Sequence, residues 1–235
     1  AEGILFLRST GLLEQILPEL DACFTIDQKS PNRHHIYDVG THLVMALKHC
    51  PSKDPITRLA TLLHDIGKFE TYRKDKTGQI TFHNHEVVGD KQVQKIADRL
   101  KLSKKEKEKL VLLVRHHQFT VDENQTDKAV RRFIRDVTKE YLQDMLDLRT
   151  GDRIGSGSTP TSWRLDLFKK RLLEVQKHVF SVADLKISGE DVMKELKLKP
   201  GKKVGEILEK LFQLVEDGKL KNEKKELLNE LKKLG

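Results

Sequence analysis

Nine of the ten histidines lie between His34 and His117, and only His178 falls in the second half of the chain. Some of them stand in or beside strongly apolar helical stretches. THLVMALKH around His42 is apolar almost all round, the pattern of a central, buried helix. TRLATLLHDIGKFE sets Leu59, Leu62, Leu63 and Ile66 at helical spacing, carries His64-Asp65 at its end, and offers Gly67 as a break just beyond. A chain with histidines in such places has to pack helices around them.

The remaining segments also read as helix. EVVGDKQVQKIADRLKL repeats Val93, Ile96 and Leu100, and SKKEKEKLVLLVRHHQF opens with Ser103 and Glu106 in capping-box spacing. Continuing its apolar face four residues past Leu113 reaches His117. DKAVRRFIRDV and KEYLQDMLDLRTGD are two further helices. Between His64 and His85 the pattern changes: KTGQ is a turn signal, and QITF reads as a short strand or extended segment. GSGSTPTS at 155–162 combines glycine, serine and proline and is the linker candidate. Beyond it, Leu165, Phe168, Leu172 and Val175 make an amphipathic helix, followed by SGEDVMKEL, PGKKVGEILEKLFQLVEDG and NEKKELLNELKKL, each with a usable cap. The reading is all-α, with two lobes joined near 155–162.

Composition narrows the function classes. With 235 residues, 37% hydrophobic and 34% charged, the chain can bury a core yet has no apolar run long enough to span a bilayer. Two cysteines, Cys23 and Cys50, rule out a disulfide scaffold and make a reducing, cytoplasmic compartment the expectation. The net charge is +8, and residues 158–235, with 18 Lys/Arg against 13 Asp/Glu, hold most of it. That excess permits an anionic partner.

His42, His64-Asp65 and Asp152 are the informative set. Imidazole with carboxylate suits a divalent transition metal or magnesium. Adjacent residues on a helix diverge by about 100°, so an ion shared by His64 and Asp65 needs ligands from other segments, and His42 and Asp152 can supply them. His85 in FHNHE and His116-His117 in RHHQ are available for a second ion. His49, His83 and His178 read as surface or ordinary packing histidines. Asp147 competes with Asp152; Asp152 is preferred because it follows a glycine at the helix end, whereas Asp147 lies within the helix. Lys68, four residues after His64, would share its helix face and could stabilise a substrate phosphate.

Asp38-Val39-Gly40-Thr41-His42, Leu62-Leu63-His64-Asp65-Ile66-Gly67-Lys68 and Gly151-Asp152 resemble the His…His-Asp…Asp motifs of the HD phosphohydrolase superfamily. The resemblance implies an HD-type helical bundle in which His42, His64, Asp65 and Asp152 hold a divalent ion (Mg, Mn, Ni, Fe or Zn), with Asp65 and Lys68 catalytic. His85, His116 and His117 match the extra histidines of two-metal members. The order of GLLEQILPEL, this core and DLKISGEDVMKELKLKPGKKVGEILEKLFQLVEDGKLKN is similar to the C-terminal half of bacterial tRNA nucleotidyltransferases, the CCA-adding and poly(A) polymerase family. The Gly-Ser pair followed by paired aspartates that the family's nucleotidyl-transfer head needs is not written here, so nucleotide addition is not expected of this chain alone.

The resemblance divides the chain into a neck-like segment (1–34), an HD domain (35–155) and a smaller RNA-binding helical lobe (156–235). In that lobe Lys199, Gly201, Lys202 and Lys203 precede or open a helix whose free N–H groups suit an RNA phosphate. The expected activity is hydrolysis of phosphomonoesters or 2′,3′-cyclic phosphodiesters by a tRNA-binding protein with no membrane role. The alternatives are a nucleotide phosphohydrolase without an RNA role and a tRNA-binding module whose HD site is a relic.

Overall fold

The computed structural model describes residues 1–28, 37–177 and 181–233. Almost all the regular structure is helical, in keeping with the all-α expectation. The chain divides into two compact units, one of Ala1–Asn124 with Phe133–Lys169 and one of Gln125–Arg132 with Lys170–Gly235. His178 and the expected boundary at 34/35 lie outside the described residues.

The first unit opens with α1 (Glu2–Ser9), α2 (Leu12–Ile16) and α3 (Pro18–Cys23), which bury Leu13, Leu20 and Cys23. Next comes α4 (Val39–His49), capped by Asp38, whose carboxylate accepts the Thr41 N–H at 2.7 Å. Its Val39, Leu43, Val44, Ala46 and Leu47 are all buried beside His42, so the helix is central as its composition predicts.

α5 (Pro55–Leu63) begins with Pro55 after the Asp54 cap, which accepts the Thr57 N–H at 2.8 Å. It stops before the His-Asp pair. His64 and Asp65 occupy the turn into the short α6 (Lys68–Thr71), where Ile66 N–H reaches Leu63 O at 3.1 Å and Lys68 N–H reaches Asp65 O at 2.9 Å. The expectation that both ride one continuous helix with Lys68 is therefore corrected. The cause is Gly67: a Cβ there would collide with the His85 carbonyl oxygen and lie 2.6 Å from Gly89 N. Only a glycine allows the turn to press on the helix that starts at His85.

QITF forms the expected strand. β2 (Ile80–Thr81) pairs antiparallel with β1 (Arg73–Lys74) in the register Arg73↔Thr81, across a turn that Gly78 makes at φ +84°. α7 (His85–Arg99) and α8 (Lys104–His116) then pack together, and the Ser103–Glu106 capping box is complete, with Ser103 N–H donating to Glu106 Oε2 at 2.7 Å. α9 (Asp127–Val137), α10 (Leu142–Gly155) and α11 (Trp163–Lys177) follow. α10 crosses α4 at backbone contact distance: a Cβ on Gly151 would lie 2.6 Å from Ala46 O, and one on Gly155 would lie 2.6 Å from Ala46 N. Any side chain at either position would force the two helices apart.

The 155–162 segment, read as a linker, lies inside the first unit. Arg153 holds it to α10, donating Nε to Thr159 O at 3.0 Å and Nη2 to Thr161 O at 3.1 Å.

In the second unit, α12 (Gly189–Leu196), α13 (Lys202–Glu216) and α14 (Lys224–Lys233) enclose Leu185, Ile187, Val192, Val204, Ile207, Leu211, Phe212, Leu227 and Leu231. Ser188 and Asp191 cap α12 reciprocally. No helix among the described residues is long and apolar enough to cross a membrane.

Candidate metal centre

Four of the predicted ligands converge. His42 Nε2 lies 3.2 Å from His64 Nε2, 3.5 Å from Asp65 Oδ2 and 3.4 Å from Asp152 Oδ1. His64 Nε2 is 3.4 Å from Asp65 Oδ2 and 3.5 Å from Asp152 Oδ1. The other carboxylate oxygen of Asp65 faces a second pair: Oδ1 is 3.0 Å from His85 Nε2 and 3.3 Å from His117 Nε2, and these two nitrogens are 3.2 Å apart. One buried carboxylate thus joins two groups, His42–His64–Asp65 and Asp65–His85–His117, each with its ligand atoms within 4.8 Å of one another.

Backbone carbonyls set the imidazole orientation. His64 Nδ1 lies 2.8 Å from Thr61 O, His85 Nδ1 2.8 Å from Phe82 O, and His117 Nδ1 2.7 Å from Val114 O. A carbonyl can only accept, so Nδ1 carries the proton in each ring and the neutral ring offers its Nε2 lone pair to the centre. Lone pairs facing at this separation need a cation or proton between them. Ligand atoms held about 2.0–2.2 Å from a tetrahedral ion stand about 3.3–3.6 Å apart, which the first group matches closely. The donor set fits a divalent ion.

The electrostatics agree. Burial opposes charge on His64, yet Asp65 and Asp152 outweigh it and hold the imidazole up at about 10. Burial also opposes charge on His42, and hydrogen bonding to Asp152 and Asp65 raises it. Desolvation works against the Asp65 carboxylate, but Lys68 and His64 hold it well below the usual range, as His42 and His64 do for the partly exposed Asp152. At His117 burial prevails over Asp65 and lowers the imidazole. The two carboxylates attract positive charge to the first group, which either protons or a metal can supply.

Several expectations need correction. Lys68 does not share a helix face with His64; it is buried, with Nζ 2.6 Å from Asp65 Oδ2 and 3.0 Å from Gln28 Oε1, so its ammonium is committed to holding Asp65. His116 stands on another face of α8, half-buried and outside both groups. Asp152 reaches the cluster from within α10, because Gly151 permits the close crossing of α4 and does not end the helix. Asp147 bonds Gln143 at 2.8 Å instead.

His64, Asp65, His85, His117 and Asp152 line a cavity of about 580 Å³, whose walls include Arg149, Arg153, Gln118, Ser156, Ser158 and His83. Nothing in the sequence by itself singles out these wall residues as functional, and His83 reads there as an ordinary histidine. The signal for the arginines was their position, three residues before and one after Asp152. In the second unit Gly201 is the uncapped residue before α13, and Lys199, Lys202 and Lys203 are exposed there; Lys202 Nζ is 3.6 Å from Glu206 Oε1.

An all-α chain with a buried His/Asp metal-type cluster defines a class, and sequence comparison specifies it. Residues 79–231 match the profile of tRNA nucleotidyltransferase domain 2, and the chain belongs to that family. It is 36% identical over 221 residues to the A-adding tRNA nucleotidyltransferase of Deinococcus radiodurans, covering 90% of this chain and 49% of that protein. It is 31% identical over 226 residues to the CC-adding tRNA nucleotidyltransferase of Thermus thermophilus, covering 94% and 50%. A shorter match, 37% over 114 residues, is to the Multifunctional CCA protein of Halorhodospira halophila. The chain spans about half the length of the first two relatives.

Proposed function

We propose that the first unit is a metal-dependent phosphohydrolase domain of the HD superfamily, and that the second unit contacts tRNA, within a tRNA nucleotidyltransferase-like protein. The observation that carries this reading is the single Asp65 carboxylate presenting one oxygen to each of two imidazole pairs. His42, His64, Asp65 and Asp152 would hold one divalent ion, and Asp65, His85 and His117 a second. Such an ion supplies Lewis-acid polarisation of a phosphoryl oxygen and a water of near-neutral pKa.

The chain's own groups do the rest. Thr61, Phe82 and Val114 carbonyls keep three Nε2 atoms directed at the centre. Lys68, whose ammonium also donates to Gln28 Oε1, holds the Asp65 carboxylate and so acts as a positioning residue. The cavity is of small-molecule size, with polar walls that suit a phosphomonoester or a 2′,3′-cyclic phosphodiester. The tRNA part draws on the relatives' names and on the exposed lysines around Gly201, whose open helix N-terminus favours phosphate.

The test is elemental analysis of the purified chain, then assays on p-nitrophenyl phosphate and 2′,3′-cyclic AMP with magnesium, manganese, nickel, iron or zinc. Bound metal with turnover of either substrate is the expected result. No metal and no turnover under all conditions would sink the phosphohydrolase reading. For the tail, changing Lys199, Lys202 and Lys203 together to Gln should weaken tRNA binding and flatten its log–log salt dependence, because fewer counterions are released. Unchanged affinity would remove these lysines from the interface.

A further inference from the structure

We propose that Arg153 binds a substrate phosphate and that the cavity takes nucleotides carrying a second phosphate beyond the one at the His/Asp cluster. This deepens the phosphohydrolase reading and rests on it.

Three cations line the cavity: Lys68, Arg149 and Arg153. Two are already neutralised. Lys68 Nζ pairs with Asp65 at 2.6 Å, and Arg149 Nη1 pairs with Asp152 Oδ2 at 3.3 Å. The wall carboxylate Glu86 is turned toward Arg115, 3.4 Å away. Arg153 has no carboxylate partner among the described residues. Its hydrogen bonds go to the carbonyl oxygens of Thr159 and Thr161, which fix the plane of the guanidinium without cancelling its charge. A pre-oriented, uncompensated guanidinium on a cavity wall is a ready anion site, because the ordering cost is already met by the fold.

Position argues for a second phosphate. Arg153 follows Asp152 directly, and neighbouring residues on a helix diverge by about 100°, so its charge falls beside the cluster. It is anchored instead to the 156–162 segment, whose Ser156 and Ser158 line the same cavity. Arg149 stands one turn earlier at i−4, on the same face of α10. Its Nη1 is held by Asp152 Oδ2 at 3.3 Å, so Arg153 carries the free charge on that face. An anion seated against Arg153 is offset from a phosphate at the His/Asp centre, and the cavity volume accommodates a mononucleotide bearing both.

The experiment compares wild type, Arg153→Gln and Arg153→Lys on p-nitrophenyl phosphate and on adenosine 3′,5′-bisphosphate with the most active metal. Arg153→Gln should raise KM for the bisphosphate by about tenfold to a hundredfold, most of the loss lying in KM, and by at least about tenfold more than for p-nitrophenyl phosphate. Arg153→Lys, which keeps the charge and loses the fork, should fall between. Equal losses on both substrates, or none, would overturn the proposal. Calorimetric binding of adenosine 3′,5′-bisphosphate separates the two readings. A wild type that binds it in an Arg153-dependent way yet hydrolyses nothing keeps Arg153 as a phosphate ligand and sinks the phosphohydrolase. An active wild type whose Arg153→Gln variant binds the bisphosphate equally well sinks Arg153.

Discussion

The two units are built from similar amphipathic helices but bury different things. In the first, His42, His64, Asp65, Lys68, His85 and His117 are buried together. In the second, the core is apolar from Leu185 to Leu231, and Glu216, a largely covered carboxylate, has Arg131 Nε at 3.8 Å. An apolar core of this kind stabilises by removing hydrocarbon from water. A cluster of buried imidazoles and carboxylates incurs a desolvation cost that packing alone does not return, so its presence points to a task other than stability. The contrast separates a unit with buried ionisable groups from one with an apolar core.

The largest effect should come from Asp65→Ala. It leaves Lys68 and four imidazoles without their shared counter-charge, which should destabilise the first unit by about 3–5 kcal/mol and reduce bound metal to nearly none. Full metal stoichiometry in a folded variant would mean that the ligands are others. Leu211→Ala, at a fully buried position of the second unit, should cost about 2–4 kcal/mol in chemical denaturation and leave metal content as it was. Metal loss in that variant would erase the distinction between the units.

Gly67→Ala sharpens the comparison on a smaller scale. The new methyl must push on the His85 backbone, so a cost of about 1–3 kcal/mol should be joined by weaker metal binding. A stability loss with unaltered metal affinity would show that the turn and the second imidazole pair are uncoupled. The smallest effect belongs to the second unit's surface. A hydrogen bond from Lys224, with backbone support from Ser188, holds Asp191 below the ordinary carboxylate range. A lowered folded pKa stabilises above the unfolded value, about pH 4, and that contribution is lost as pH falls through the lowered one. The melting temperatures of Asp191→Asn and its parent should therefore differ slightly at pH 7 and converge in acid. A gap that widened in acid would reverse the assigned sign.

Local signals were legible in the sequence: the Ser103–Glu106 box, the strand in QITF, the buried α4, and His117 one turn beyond Leu113. The set His42, His64, Asp65 and Asp152 was also legible, through the resemblance of DVGTH, LLHDIGK and Gly151-Asp152 to a known motif order, and the structure brings the four together. What escaped was set by contacts between distant segments. The helix ends at Leu63 because Gly67 meets the start of α7, and nothing in TRLATLLHDIGKFE reports that meeting. Lys68 turns back on Asp65 because the helix breaks between them, and its second partner, Gln28, lies 40 residues away. GSGSTPTS has the composition of a linker, yet the two carbonyls that Arg153 holds make it a cavity wall.

The backbone contact of Gly151 and Gly155 with Ala46 also bears on the order of assembly. His64, Asp65, His85 and His117 come from neighbouring stretches and can meet early, when only short loops have to close. Asp152 joins His42 only after α10 has returned across most of the first unit, a closure that costs more chain entropy and comes later in folding. The first imidazole pair is thus completed by a long-range docking event. An ion held there would therefore need α10 in place, because without it His42 and His64 lack the Asp152 carboxylate.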